Sequence, residues 1–145
     1  MAAQVSYGAS TELDAVNSIL MSVGESPVNT ITNVQSPEVV IAKNTLRQVC
    51  REVLSEGWVF NTEKQYPIVL DANRHCIIPN NVLQIDVNQF KHLDDFNTVM
   101  RKDNGILKLY DLHEHRFNFD NTSDGKLYVD IVWMYEFEDI PQVFR

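Results

Sequence analysis

The chain has 145 residues, a formal net charge of −8 and 44% hydrophobic residues. That length suits one domain or two small ones, and the apolar fraction is enough for a core, which excludes a disordered acidic tail. The acidic balance repels nucleic acid and anionic membranes, which excludes ordinary sequence-specific DNA binding.

The first residues, Met1 to Gly8, are small and polar and predict a flexible arm. A helix follows. Thr11 can cap it, with Asp14 three residues later as an acidic variant of the capping box. Leu13, Val16, Ile19, Leu20 and Val23 then fall on one face at helical spacing. Gly24 suits the left-handed position that ends a helix, and Pro27 blocks its resumption. The longest apolar stretch here, Ala15 to Val23, is interrupted by Asn17 and Ser18. Glu12 and Asp14 precede it where a signal peptide carries Lys or Arg. No run approaches the roughly 18 apolar residues that span a bilayer. The expectation is a soluble protein without a membrane anchor, made in a cytoplasm.

Thr30 to Gln35 is polar and turn-like, with Ile31 and Val34 available for packing. A second helix begins at Ser36-Pro-Glu38, which supplies an N-cap, a proline at the first helical position and an acid in the positive first turn. Val39, Ala42, Leu46, Val49 and Val53, with Cys50 and Leu54 beside them, carry the apolar stripe towards Gly57. A helix of about 20 residues is roughly 30 Å long. Lys43, Arg47 and Arg51 recur every four residues on a polar side. They form either a solvated helix face or a basic stripe that meets an acidic neighbour.

Beyond Gly57 the hydrophobic period changes from helical to alternating. Trp58 to Phe60, Tyr66 to Leu70, His75 to Pro79, Val82 to Val87, Ile106 to Tyr110 and Lys126 to Phe137 predict strands. Asp71 to Arg74, Pro79 to Asn81, Lys102 to Gly105 and Asn121 to Gly125 predict turns. Asn104-Gly105 between two apolar pairs is a hairpin signal. On the last long strand, Ile131, Trp133 and Tyr135 share one face, which predicts a buried Trp133. Asp139-Ile-Pro141 opens what can be a further helix. The predicted class is therefore α+β: a helical hairpin over 1–57, an antiparallel β region over 58–137, and the start of a C-terminal segment over 138–145, together one structural unit.

Chemistry-bearing motifs are scarce. The chain has five glycines, and none forms a phosphate loop or nucleophile elbow. Cys50 and Cys76 stand far apart without neighbouring cysteines, which predicts buried thiols rather than a disulfide framework or zinc site. Asp111, His113 and His115 could converge on a strand face as metal ligands. No second ligand pair accompanies them, and they read as polar residues on the exposed face of an edge strand. Glu136, Glu138 and Asp139 offer the two carboxyls that glycoside hydrolysis needs, or a solvated charge run. Trp58, Phe60, Tyr66, Tyr128, Trp133 and Tyr135 could line a sugar platform, or pair across strands in a core. Asn121-Thr-Ser123 matches a glycosylation acceptor, which carries no weight without a secretion signal.

Several segments, in order, resemble the tail tubular protein A family of short-tailed bacteriophages. They are Glu12 to Asn17, Gly24 to Asn29, Pro37, Ala42, Asn44-Thr-Leu46, Arg51-Glu52, Glu56-Gly-Trp58 and Phe60 to Glu63 in the first half. In the second half they are Ile78-Pro79, Asn81 to Leu83, Asp86-Val87, Leu109 to Asp111, Val129-Asp130 and Phe137 to Pro141. Family members continue past Phe144-Arg145 into further helical sequence. The resemblance implies a structural virion protein without catalysis, cofactor or metal. It implies a twelve-membered head-to-tail adaptor ring beneath the portal, with the tail tubular protein B nozzle below, tail fibres near that junction, and an axial channel that passes genomic duplex. An acidic wall suits that passage, because each phosphate contact it withholds is affinity withheld. Lys43, Arg47 and Arg51 are then candidate ring contacts, since heterologous contacts that close produce cyclic rings. The alternative function is a carbohydrate-degrading virion hydrolase acting through Glu136, Glu138 or Asp139.

Overall fold

The computed structural model of the chain describes residues 11–32, 36–89, 91–92, 96–120, 122 and 124–145. The expected N-terminal arm at Met1 to Gly8, Val34 of the expected turn, and Asn121 and Ser123 of the glycosylation match lie outside the described residues. The protein is a mixed α+β molecule with antiparallel sheets, and it divides into two compact units. One comprises Met1–Glu56 with Tyr135–Arg145, the other Gly57–Met134. Among the described residues, no helix is long and apolar enough to cross a membrane.

The first unit is helical. Helix α1 spans Glu12–Ser22. The Asp14 N–H donates to Thr11 Oγ1 at 3.1 Å, which satisfies one of the donors that a helix start leaves open. At the far end Gly24 adopts φ +83°, and the N–H groups of Gly24 and Glu25 donate to the carbonyls of Met21 and Leu20. That paired closure requires a left-handed residue, which glycine supplies without strain. Val23 caps the helix and lies exposed, outside the packed face predicted for it. The exit is held by Asn17, whose side chain both donates to the Val28 carbonyl and accepts from its N–H.

Helix α2 spans Pro37–Leu54, with Ser36 as N-cap and Pro37 in the first turn. The Ser36 hydroxyl donates to Glu38 Oε2 at 2.7 Å. Val16 and Leu20 of α1 form a buried cluster with Val39 and Ala42 of α2, joined by Ile19, Val28, Ile31 and Leu46. The packed face of α2 is narrower than its apolar stripe. Val39, Ala42, Cys50 and Leu54 are buried, whereas Val49 and Val53 are 48% and 46% exposed. The spacing places all of them within one broad sector, but α1 and its exit segment cover only part of it.

The C-terminal segment of this unit forms two 3-10 turns, Phe137–Asp139 and Gln142–Phe144, where the opening of a helix was expected. Ile140 is extended at φ −70°, ψ 132°. Its neighbour Pro141 disfavours the α region for the residue before it, which interrupts the helix at that point.

The second unit is built on β5, Lys126–Trp133. Strand β1, Thr62–Val69, and strand β2, Val82–Val87, flank it in the order β1-β5-β2, both antiparallel. Burial alternates along β5: Leu127, Val129 and Ile131 are fully buried and the residues between them are partly exposed. Strand β1 carries a bulge between Glu63 and Tyr66, where Gln65 takes φ 54° and its N–H donates to Asp130 Oδ1. A second sheet pairs β3, Thr98–Asp103, with β4, Ile106–Asp111. The turn between them has Asn104 at φ 51° and Gly105 at φ 80°, two consecutive left-handed residues of the kind that a two-residue hairpin turn demands. Leu109 of β4, Phe119, Cys76 and Ile78 complete the core.

Three predicted strands differ. Trp58 to Phe60 forms a turn, because the wholly buried Asn61 folds the segment back. Its Oδ1 accepts from the Trp58 N–H at 2.7 Å, and its own N–H donates to the Trp58 carbonyl. His75 to Pro79 makes isolated bridges, His75 with Asn118 and Ile77 with Lys108. Strand β5 stops at Trp133, with Met134 donating to the Asn81 carbonyl.

Trp133 is only partly buried. It packs against the core, meets Tyr66 edge-on at 5.5 Å, and turns its Nε1–H outward to Glu63 at 3.1 Å. An indole at a core margin keeps its polar edge wet in this way. Among the described residues, Phe119, at 1% exposure, is the large aromatic that the core encloses. Phe119→Ala is expected to cost about 3–5 kcal/mol, the usual range for emptying an enclosed aromatic site, and Trp133→Ala distinctly less. Urea unfolding of the two variants checks this, and equal costs would put Trp133 in the core after all.

Candidate functional site

The chemistry-bearing residues singled out by sequence fall at several places. In the first unit, the basic residues of α2 meet the acids of the C-terminal segment. Arg47 lies 3.6 Å from Glu136, and both side chains are more than half exposed. Lys43 Nζ donates to the Ile31 carbonyl at 3.4 Å, and Arg51 stands exposed in the last turn of α2, where a cation favours the helix dipole. Glu138 Oε1 accepts from the Glu12 N–H at the start of α1, where an anion is similarly favoured. The Glu138 and Ile140 carbonyls accept from the Arg145 guanidinium, which also lies over the Phe137 ring at 5.7 Å. An acidic partner for the basic stripe thus sits in the same chain. Its carboxylates are tied to a helix start and a helix flank.

An exposed ion pair such as Arg47–Glu136 contributes little to stability, because water screens it and two long side chains must be held in place. It positions the segment more than it anchors it.

Asp111 ends β4 and is 1% exposed, a correction to its expected place on an exposed strand face. Its carboxylate accepts from the His113 N–H at 2.9 Å, and its backbone pairs with Arg116 in both directions. His113, Glu114 and His115 lie on the tight turn that follows, with His115 at φ 58°. The alternation that would bring them to one face is therefore absent. Among the described residues, no group of three or more His, Cys, Asp or Glu is placed to hold a metal ion.

The aromatic residues do not form one platform. Tyr66 and Trp133 pair, Tyr128 stacks at a tilt on His92 with Lys91 over its ring, and Trp58 stands 40% exposed. Tyr135 belongs to the other unit. An open groove of about 390 Å³ runs between residues 77–82 and 105–107. Ile, Pro, Asn, Val, Gly and Leu line it, so it offers no acid, base or nucleophile.

Sequence reasoning missed one charged cluster. Lys108 is 8% exposed, with Nζ 3.0 Å from Asp103 Oδ2 and 3.0 Å from His75 Nδ1. The Lys108 ammonium can only donate, so His75 Nδ1 accepts. The cluster staples the β3–β4 hairpin to the His75 segment, and its alternating Leu107–Lys108–Leu109 context hides it from a pattern search.

Both cysteines are free and buried. Burial pushes the Cys50 thiol up, with Glu136 and Glu12 adding to it. Burial likewise pushes Cys76 from the ordinary 9.0 up to about 12, aided by the Asp71 charge. Both are protonated and inert near neutrality.

These charged groups tie elements together, and the residues that line the groove offer no acid, base or nucleophile. A family model described as "Tube: Tail tubular protein" matches residues 13–145. The chain belongs to this tail tubular protein family of phages and is a structural component of a virion tail. None of the curated proteins compared with the chain matches it.

Between pH 9 and about 12 the folded protein keeps a Cys76 proton that the unfolded chain releases. Stability from this thiol is intact below pH 9 and is lost as pH rises towards 12. Melting temperatures followed from pH 8 to 11 should fall more steeply for the wild type than for Cys76→Ala, each taken relative to its own value at pH 8.

Proposed function

We propose that the protein is the head-to-tail adaptor of a short-tailed phage, the tail tubular protein A type. In this reading it forms a ring, without catalytic duty, that joins the portal to the tubular protein B nozzle. Tail fibres attach near the lower junction, and genomic duplex passes through the axial channel on ejection. Assembly takes place in the host cytoplasm. The observation that carries this reading is the family match over residues 13–145, nearly the whole chain.

The physical chemistry agrees with it. A net charge of −8 offers a sliding duplex few favourable phosphate contacts. The two N-terminal helices serve as a hairpin whose outer surface is available for lateral packing. Lys43, Arg47 and Arg51 are the proposed ring contacts on α2, with Arg47 exchanging or sharing its Glu136 partner on assembly. A closed ring needs two different faces on each copy that fit one another, and twelve copies is the number that the family resemblance implies.

Native mass spectrometry or sedimentation of the purified protein, alone and with portal, tests the reading. A large discrete oligomer is expected, and duplex DNA at physiological salt should not bind it measurably. Monomer alone under both conditions would overturn the adaptor assignment.

A further inference from the structure

Helix α2 exposes two unlike flanks. On one, Ile41, Thr45, Val49 and Val53 follow each other at four-residue intervals, the spacing that makes a continuous ridge. Ile41 is 64% exposed, and Val49 and Val53 are close to half exposed. Three β-branched apolar residues on a wet helix face are disfavoured twice, by helix propensity and by hydration. Glu38 and Glu52 border this ridge. The ridge runs about 18 Å at 1.5 Å per residue.

The other flank carries Lys43, Arg47 and Arg51, again at four-residue intervals, with the half-exposed Val40 among them. At 3.6 residues per turn the two flanks lie on opposite sides of the helix, with the face buried against α1 between them. One flank is apolar with an acidic border, and the other is basic with an apolar residue, Val40, at its N-terminal end.

We propose that α2 joins neighbouring copies of the chain flank to flank. The ridge of Ile41, Val49 and Val53, bordered by Glu38 and Glu52, packs on the Val40, Arg47 and Arg51 flank of the next copy. The occupant is a second copy because one helix supplies both halves of the complement. In an acidic chain with 12 Lys and Arg against 20 Asp and Glu, three of the scarce cations are drawn into a single stripe. A contact between two different flanks repeats head to tail, whereas a contact of one flank with itself would stop at a dimer and oppose like charges. This inference rests on the ring reading and deepens it by naming the surfaces that meet.

Sedimentation velocity on the full chain tests it, with four variants. Ile41→Glu with Val49→Glu places charge on the ridge. Glu52→Arg and Arg51→Glu each put like charges together, and the two combined restore opposite charges across the contact. The first three should raise the concentration for half-assembly at least about tenfold, the scale of losing one well-packed contact residue. The combined reversal should recover most of that loss. All should keep the wild-type melting temperature and helical circular dichroism, because the changed residues are exposed.

If wild type and the Ile41, Val49 variant assemble alike, the flank contact is wrong and the adaptor reading stands. If the variant still forms rings but no longer holds another tail protein, the ridge belongs to that partner and the inference falls. If wild type never assembles, with or without portal, the adaptor reading itself fails and takes the contact with it.

Discussion

Strand β5 is the constraint on which the second unit depends. It is the central strand of its sheet, paired along its length with β1 on one side and β2 on the other. Its alternate residues Leu127, Val129 and Ile131 are wholly buried. A one-residue slip against either neighbour would turn all three to the wrong face, so register is strongly specified. Asn61 locks the end of that register. Its side-chain amide donates to the Trp133 carbonyl at 3.0 Å, while its backbone carbonyl accepts from the Trp133 N–H at 2.8 Å. The same side chain closes the preceding turn at Trp58. One buried amide thereby ends β5, shapes the entry to β1 and leaves its own polar atoms satisfied, which a buried group must be.

Asp130 plays a related part on the opposite face of β5. It accepts from the Gln65 N–H at the β1 bulge and from the Asn88 side chain beyond β2. Lys64 approaches it at 3.8 Å. A carboxylate on the central strand thus reaches both neighbours, and the charge is held by donors rather than left in a cleft. The same holds at Lys108, whose ammonium is buried but met by Asp103 and His75. Charges placed this way specify register and hairpin geometry, and they do not form the poised, unequal carboxyl pair that acid-base catalysis requires.

Much of the fold was legible wherever the signal is local. Gly24 with Pro27, Ser36-Pro37-Glu38 and Asn104-Gly105 each encode a cap or turn within a few residues, and the structure has each of them. The alternation along β5 was equally plain. What escaped was set by partners distant in sequence. Trp58 to Phe60 has strand composition, yet Asn61 and the end of β5 make it a turn. Val49 and Val53 fit the apolar stripe of α2, but how wide a stripe is covered depends on what packs there. The basic stripe was visible as a pattern, and its pairing of Arg47 with Glu136 was not, because nothing local links them. Asp111 was misread because a strand end and a tight turn replaced the assumed alternation.

The candidate site follows the same logic. An enzyme's site leaves a local trace, since a nucleophile, its base and an oxyanion donor tend to come with recognisable turns and spacings. An assembly protein writes its function on surfaces instead. The surface proposed here is a helix whose buried face is small, with Val39 and Ala42 against α1, and whose remaining circumference carries apolar and charged residues in separate ridges. A solvated helix has no reason to sort them so. It would be stable, and easier to fold, with alanine, glutamate and lysine distributed around its wet side. Sorting of this kind is costly to a monomer and useful to a repeated contact, which is the ground for the contact proposed at α2.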